Sequence, residues 1–313
     1  MKSDWVAASV RARSMARRRV GAGTSLALAA EGTLGAALSS LQESRSCYAE
    51  RLRAVSGLAA AERAIHETLL WQLRVLAGWL PASGTALARA FAGTFEIENI
   101  VALAHQLDGG AEAPEPYRLG ALATAWHRLG SAGTRDELTT MLRTSPWRDV
   151  GDAGPAGPGT LRAGLQVAWA RRLAAVAPAA GTWCGAVCVL TAARSLSVDG
   201  TIPPAPLPRL LRPVLGRAWE SSGSIGDFRA ALPPSLQKVV RDIASPRELW
   251  RAEARAHAQM ERDGFVFLRA SLPGPDVVLG AMAVLSVDAW RVRAALAAAA
   301  AGAGSSEVLD EAA

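Results

Sequence analysis

Apolar residues recur with helical spacing in a phrase that occurs three times along the chain. Each copy opens with Gly and a hydroxyl residue, carries apolar residues five and nine positions after the Gly, and reaches Ser three residues later. The copies are Gly32-Thr33-Ala37-Leu41-Ser44, Gly133-Thr134-Leu138-Leu142-Ser145 and Gly223-Ser224-Phe228-Leu232-Ser235. Residues four apart share a helix face, and a preceding hydroxyl is typical of an N-cap. The phrase therefore predicts a short capped helix with one buried face, repeated three times.

Two details sharpen the ends of these short helices. In the second copy Thr134 and Glu137 have the spacing of a capping box, in which each residue accepts a hydrogen bond from the backbone of the other. Pro146 ends the second copy, and Pro233 and Pro234 end the third, because proline cannot continue a helix.

A long amphipathic helix is predicted after each phrase, beginning near residues 60, 161 and 251 or slightly earlier. The first is the clearest, since its apolar positions follow one stripe with helical spacing. That stripe comprises Leu58, Ala61, Ile65, Leu69, Leu73, Leu76 and Leu80. Each long helix runs up to a proline, at Pro81, Pro178 or Pro273, which marks its end.

Helices are also predicted before the phrases, over residues 9–20, 95–107 and 183–197, with Pro- and Gly-rich breaks at 108–116, 151–159 and 203–208. The chain then divides into three related helical repeats, 1–88, 89–178 and 179–274. Residues 275–313 supply a C-terminal helix and a frayed tail. Three copies of one unit are expected to close around a pseudo-threefold axis or to stack as a short solenoid.

Composition favours the same fold class. The chain has 313 residues, 50% of them apolar, and it is rich in Ala and Leu but poor in β-branched and aromatic residues. That balance favours helix over sheet, so we expect an all-α protein. Lys and Arg outnumber Asp and Glu by 34 to 28. The excess positive charge suits an acidic partner, and it is equally typical of ordinary solvated helix faces.

The cysteines do not indicate a disulfide framework or a metal site. Cys184 and Cys188 are spaced to share one helix face, but a zinc ion would need two further ligands, and the four histidines are scattered. We expect all three thiols, including Cys47, to be buried as small apolar groups in a reducing compartment. No metal ligands and no cofactor are predicted.

Catalytic motifs are not found either. Glu96 and Glu98 point in different directions from a helix and cannot act as an acid–base pair. The glycines at 21–23 lack the Lys-Ser/Thr of a phosphate loop. No catalytic or cofactor-binding residue is predicted, and an all-helical enzyme is disfavoured. No membrane span is expected, because the most apolar stretch, beginning at Val277, is interrupted by Asp288 and Arg291, and the first residues do not resemble a secretory signal.

Two polar features remain. Five arginines crowd the first helix and could contact an acidic partner or anionic headgroups, although a solvated helix face explains them equally well. These candidate contact residues are Arg11, Arg13, Arg17, Arg18 and Arg19. Asn99 is the single Asn of the chain and lies inside a predicted helix. Because Asn is unfavourable there, we expect its side chain to bond a neighbouring backbone group, which is a structural role.

Several of these motifs resemble one family. Phe95, Glu98, Asn99 and Ile100, followed by the phrase that ends Ser145-Pro146-Trp147, are similar to the middle repeat of the C-type subunit of prokaryotic V-type ATPases, known as the d-type subunit in eukaryotes. Ser46-Cys47-Tyr48 stands at the matching place after the first phrase. Gly274-Pro275, with Asp288 and Arg293 downstream, resembles the ending of that family. The third repeat departs from the pattern, with Trp183-Cys184-Gly185 at the position of the Glu-Asn element. The resemblance is that of a divergent bacterial member.

The resemblance implies an all-helical, three-lobed funnel with pseudo-threefold symmetry. Such a protein is not an enzyme. It lies peripherally on the cytoplasmic face of the membrane, rests on the proteolipid ring and receives the central stalk. It thereby couples ATP-driven rotation to the transport of protons or sodium ions. Nucleic acid is not an expected partner of this family. The alternative is a basic all-helical nucleic-acid-binding or regulatory scaffold, for which salt-sensitive binding to duplex would be expected.

Overall fold

A computed structural model describes residues 2–44, 46–151, 158–199 and 206–313. Every regular element within these ranges is an α-helix or a 3-10 helix. The prediction of an all-α protein is therefore confirmed for the part of the chain that the structure describes.

The α-helices, in chain order, have the following bounds. They are α1 (Val6–Arg17), α2 (Ala22–Ala29), α3 (Leu34–Glu43), α4 (Ala49–Leu52), α5 (Leu58–Ala77), α6 (Thr85–Leu107), α7 (Trp126–Leu129), α8 (Arg135–Arg143), α9 (Arg148–Gly151), α10 (Pro158–Val176), α11 (Gly181–Asp199), α12 (Leu207–Leu215), α13 (Ile225–Ala231), α14 (Pro234–Gln237), α15 (Leu249–Leu268), α16 (Pro275–Ala300) and α17 (Glu307–Glu311). Short 3-10 helices occupy Lys2–Trp5, Ala82–Gly84, Gly120–Leu122, Pro178–Ala180, Ala218–Ser221, Lys238–Val240 and Pro246–Glu248.

The chain separates into two compact units. The first comprises Met1–Thr85 and Ala254–Ala313, and the second comprises Ala86–Glu253. The first unit is therefore built from both ends of the chain. The division into repeats 1–88, 89–178 and 179–274, and their arrangement as a funnel, stay predictions.

All three predicted N-caps are present. The hydroxyl of Thr33 accepts a hydrogen bond from the Ala36 N–H at 3.2 Å, and Ser224 does the same for Asp227 at 3.1 Å. The apolar positions five and nine residues after each Gly are buried, as the phrase predicts. They are Ala37, Leu41, Leu138, Leu142, Phe228 and Leu232.

The capping box of the second copy differs from its prediction in one bond. Thr134 Oγ1 accepts from the Glu137 N–H at 3.2 Å, as expected. The Glu137 carboxylate, however, accepts from the N–H of Gly133 at 2.8 Å, one residue before the cap. The two side chains still satisfy two backbone donors at the helix start, which the helix itself cannot bond.

The long helices after the phrases are nearly equal in length, with 20 residues in α5, 19 in α10 and 20 in α15. They begin at Leu58, Pro158 and Leu249, two or three residues earlier than predicted. Each is followed by its proline and then by a second long helix, α6, α11 or α16. The structural motif is thus a long helix, a break at proline and another long helix, occurring three times.

Helix α16 forms the centre of the first unit, where it packs against α1, α2, α3, α5 and α17. Its crossing with α15 depends on two glycines. A Cβ atom on Gly280 would lie 2.5 Å from the carbonyl oxygen of Gly264, a distance that real Cβ atoms do not reach. The two backbones can approach this closely because neither residue has a side chain.

The C-terminal segment is not a frayed tail, so that expectation is wrong. Ser306 caps α17, and Leu309 is buried. Arg291 donates to the carbonyl oxygen of Ala312 at 2.8 Å, and Arg255 forms an ion pair with Glu311 at 2.7 Å. The sequence pattern did not reveal this order because α17 has only five residues. The Gly- and Ser-rich run before it is typical of an irregular tail.

In the second unit, α10 packs along α11, and α12 contacts both. The segment Pro178–Leu196 is long and apolar enough to cross a membrane, and 61% of its apolar 18-residue window is buried inside the protein. No such span was expected at this place, since the most apolar stretch of the sequence begins at Val277. The buried core helix of a soluble protein passes the same test, so the segment by itself is weak evidence of a span.

Candidate functional site

The second unit contains a buried carboxylate that holds the start of a helix. Glu96, on α6, is 1% exposed. Its two oxygens accept from the N–H groups of Thr124 at 2.8 Å and Ala125 at 2.6 Å, which directly precede α7. The indole N–H of Trp147 lies 3.4 Å from the same carboxylate, and Arg172 stacks over that indole ring at 4.6 Å. A carboxylate in this position satisfies helix-start donors and suits the positive end of the helix dipole.

The first unit contains a carboxylate with the same kind of partners. Asp288, on α16, is 1% exposed. It accepts from the N–H groups of Val20 at 3.1 Å and Gly21 at 2.7 Å, which directly precede α2. The phenol of Tyr48 donates to it at 3.1 Å. Burial raises the pKa of Asp288 above its usual value, while the bonds from Gly21, Val20 and Tyr48 oppose that rise.

The two carboxylates occupy equivalent positions in the sequence. Glu96 follows Pro81 by fifteen residues, and Asp288 follows Pro273 by the same distance. The third proline, Pro178, leads by the same count to Ala193, which is fully buried. Two of the three helix–proline–helix motifs therefore carry the acid, and the motif at Pro178 has the methyl group of Ala193 in its place.

The aromatic partners are equivalent too. Tyr48 directly precedes α4, and Trp147 directly precedes α9, the short helices that follow the first two capped helices. Sequence reasoning did not assign either acid this role. The equal distance of Glu96 and Asp288 from the preceding proline was the sequence signal that could have identified both acids.

Asn99 holds the loop after its own helix. Its Oδ1 accepts from the Tyr117 N–H at 2.7 Å, and its Nδ2 donates to the Tyr117 carbonyl at 3.0 Å. The expected backbone hydrogen bond is confirmed, but the partner lies 18 residues away rather than in a neighbouring turn. The ring of Phe95 meets the Tyr117 ring edge to face, with centroids 5.3 Å apart. Both residues therefore fix the segment that leads to the Glu96 site.

The other two motif residues lie on different faces of α6. Ile100 is fully buried in the core of the second unit. Glu98 forms a two-pronged ion pair with Arg162 of α10, whose Nη2 is 3.0 Å from Glu98 Oε2. Glu96 is buried whereas Glu98 is partly exposed. The two carboxylates therefore lie in separate environments, as expected for residues two apart on a helix.

The arginines of α1 and the residues after it divide into two groups. Arg13 donates to the carbonyl oxygens of Leu268 at 2.9 Å and Ala270 at 2.6 Å, at the end of α15. Arg19 stacks on the Phe265 ring at 4.7 Å. Both of these contacts lie inside the first unit.

The remaining three arginines differ in accessibility. Arg17 and Arg18 are exposed, and Arg11 is half-buried. Arg17 and Arg18 are therefore the members of the cluster that a partner could reach most easily. Contact of the five arginines with a partner stays a prediction.

Burial is the main influence on all three thiols. Cys184 and Cys188 are buried, and burial raises the pKa of each to about 12. Cys47 is half-buried, and burial together with the nearby Asp288 raises its pKa to about 11. Among the residues described, no group of three or more His, Cys, Asp or Glu side chains could hold a metal ion.

Comparison of the chain with protein-family models and with curated proteins finds no match. Any function proposed for the chain therefore depends on the repeated geometry and on the residues themselves.

Proposed function

We propose that the chain is a non-catalytic rotor adaptor of a V-type ATPase, related to the C-type or d-type subunits. In this role it links the central stalk to the proteolipid ring and transmits ATP-driven rotation to ion transport. It would lie on the cytoplasmic face of the membrane and contact the lipid surface only through the ring.

One observation carries the proposal: the aromatic residues that follow the first two phrases each bond to a buried acid, and these acids lie within or directly beside the elements that resemble the family. Trp147, from the turn after the second phrase, bonds to Glu96 beside the Glu98-Asn99 element. Tyr48, from the turn after the first phrase, bonds to Asp288 of the C-terminal element. Three pieces of the resemblance, Trp147, Tyr48 and Asp288, thus take part in two copies of a single arrangement. A repeated scaffold of this kind suits a socket, in which related units surround one shaft.

The charge of the chain is compatible with such a role. Electrostatic complementarity between two protein surfaces steers their association and fixes their register. The exposed side chains of Arg17 and Arg18 add positive charge near the end of α1. We expect them to contact an acidic face of the ring or the stalk.

The test is co-expression of the tagged chain with the proteolipid and central-stalk subunits of the same organism, followed by native mass spectrometry. We expect one chain on each ring, together with the stalk. A chain that remains a monomer in the presence of both subunits would contradict the proposal. If that monomer also shifts duplex DNA at low salt, the nucleic-acid scaffold becomes the better function.

A pair of charge-reversal variants refines this test. Arg17→Glu with Arg18→Glu is expected to weaken ring or stalk binding at low salt. Arg53→Glu with Arg74→Glu makes the same charge change at exposed positions elsewhere in the first unit and serves as the matched control. Equal loss of binding in both double variants would show that net charge matters and that the end of α1 is not the contact.

A further inference from the structure

A cavity of about 350 Å³ opens in the second unit between α10, α11, α12 and α14. One wall is a face of α11 that carries Cys184, Gly185 and Cys188, and the opposite side includes Leu236. A Cβ on Gly185 would lie 2.7 Å from Leu236 Cδ2. The missing side chain therefore lets Leu236 close against α11 beside the two thiols. Cavities of this size, mostly apolar and with few polar groups, are typical of binding sites for small ligands.

Both thiols line this cavity from one helix face. Residues four apart on a helix have Cβ atoms about 5–6 Å apart. Two metal–sulfur bonds of about 2.3 Å each, arranged in a line, place the sulfur atoms about 4.6 Å apart. The spacing of Cys184 and Cys188 on one helix face is therefore compatible with joint coordination of one metal ion. A zinc ion takes four ligands, whereas thiolates alone favour soft ions such as Cu(I).

A positive charge stands at the same cavity. Arg171, on α10, belongs to its lining, and its guanidinium interacts electrostatically with Cys188. Its Nη1 lies 3.5 Å from the Asp149 carboxylate, which holds the side chain in place. Two thiolates with one monovalent cation carry a net charge of minus one. The Arg171 guanidinium lies beside the site and offsets that charge, while its partner Asp149 is 51% exposed and is therefore screened by solvent.

We propose that Cys184 and Cys188 form a two-coordinate site for a soft monovalent metal ion, Cu(I), with Arg171 as the balancing charge. On binding, two sulfur–copper bonds form, the two S–H bonds break, and both protons leave to solvent. The copper ion stays in its +1 state, so the step needs no oxidant or reductant. The site does not depend on the proposed rotor function.

The test uses the full chain, reduced and kept without oxygen. Cu(I) is supplied as its bicinchoninate complex, and transfer to the protein is followed by loss of the colour of that complex. Native mass spectrometry counts the bound ions. We expect one copper ion for each chain. Cys184→Ala or Cys188→Ala should weaken binding by about 100-fold or more, and Arg171→Gln by about 10-fold.

Cys47→Ala is the matched control, because it removes the third thiol of the chain from the other unit, and it should leave binding unchanged. X-ray absorption on the copper-loaded wild-type chain adds a measurement that does not depend on variants, and we expect two sulfur neighbours. The proposal is overturned if wild-type protein takes no copper from the chelator. It is equally overturned if the copper has nitrogen or oxygen ligands, or if the variant lacking both Cys184 and Cys188 binds as tightly as wild type.

Discussion

The Glu96 site of the second unit and the Asp288 site of the first differ in every side chain, yet they use the same backbone solution. In each, one carboxylate spans two successive N–H groups directly before a short helix, α7 or α2. The third donor is an indole at Glu96 and a phenol at Asp288. The two sites therefore share a hydrogen-bonding pattern and not a residue type. Glu96 pairs with the indole of Trp147, and the shorter Asp288 pairs with the phenol of Tyr48.

The helix–proline–helix motif at Pro178 differs from the other two. Its equivalent residue, Ala193, is buried and carries no carboxylate. A buried acid is tolerated only where donors meet it. Variants at these three positions can therefore show how much stability depends on matching a buried acid with its hydrogen-bond donors.

The largest effect is expected for Ala193→Asp. A carboxylate placed at a fully buried methyl position must be desolvated and also overfills the core. We expect a loss of about 4 kcal/mol in the free energy of unfolding, measured by urea denaturation. Ala193→Gly, the control for backbone effects, should cost about 1 kcal/mol. A loss of less than about 1 kcal/mol for the aspartate variant would mean that the third repeat already offers donors to an acid.

Removal of the existing acids should have the next largest effect. Glu96→Ala and Asp288→Ala each leave two backbone N–H groups and one aromatic donor without an acceptor. We expect each to lower the free energy of unfolding by about 3 kcal/mol, since an unsatisfied buried group costs about 1–3 kcal/mol. Glu98→Ala, which breaks a partly exposed ion pair, is the control and should cost less than about 1 kcal/mol. Equal effects at Glu96 and Glu98 would refute the special role of the buried acid.

His66 gives the first unit a pH response that must be separated from that of Asp288. Burial, with the nearby Arg293 and Arg63, lowers the pKa of His66 to about 4. Between pH 6.5 and 4 the unfolded chain therefore binds more protons at this residue, so its contribution destabilises the fold as pH falls. The raised pKa of Asp288 acts in the opposite sense and adds stability as pH falls.

The expected loss from His66 is about 1–2 kcal/mol, after allowance for solvent screening of a full shift worth about 1.4 kcal/mol for each pKa unit. Urea denaturation of wild type and His66→Gln at about pH 7 and about pH 4.5 measures it. The variant should be less sensitive to acid than wild type. A variant with an unchanged pH dependence would show that His66 does not titrate in this range.

The smallest effect concerns the aromatic donor. Tyr48→Phe removes only the phenolic hydroxyl and keeps the ring, and Asp288 keeps its two backbone donors. We expect a loss of about 1 kcal/mol in thermal or urea denaturation. Trp147→Phe at the equivalent position should cost more, because it also removes packing volume beneath Arg172. The reverse order would indicate that the phenol bond, rather than the packing of the aromatic ring, holds the repeat together.

Local features of the fold could be predicted because they depend on near neighbours in sequence. The hydroxyl caps at Thr33, Thr134 and Ser224, and the helix breaks at Pro81 and Pro178, follow from the residue and its immediate context. The C-terminal α17 could not be predicted in this way. Its order depends on Arg291 and Arg255, which reach it from distant parts of the chain.

The candidate sites show the same limit. Asn99 was expected to bond a backbone group because Asn is unfavourable inside a helix. Its partner, the backbone of Tyr117, could not be identified from the sequence. Arg13 was expected to contact solvent or a partner. In the structure it donates to carbonyl oxygens at the end of α15. A charged side chain does not reveal from sequence whether its partner is solvent, another protein or its own backbone.

The sequence by itself determined the helical class, the three capped phrases and the long helices with their proline breaks, since each is encoded within a few residues. Tertiary structure alone decided that both ends of the chain build one unit, and that Glu96 and Asp288 serve the same purpose. It also decided that Cys184 and Cys188 open onto a cavity beside Arg171. The physical reason is that burial and hydrogen-bond partnership depend on which distant segments meet.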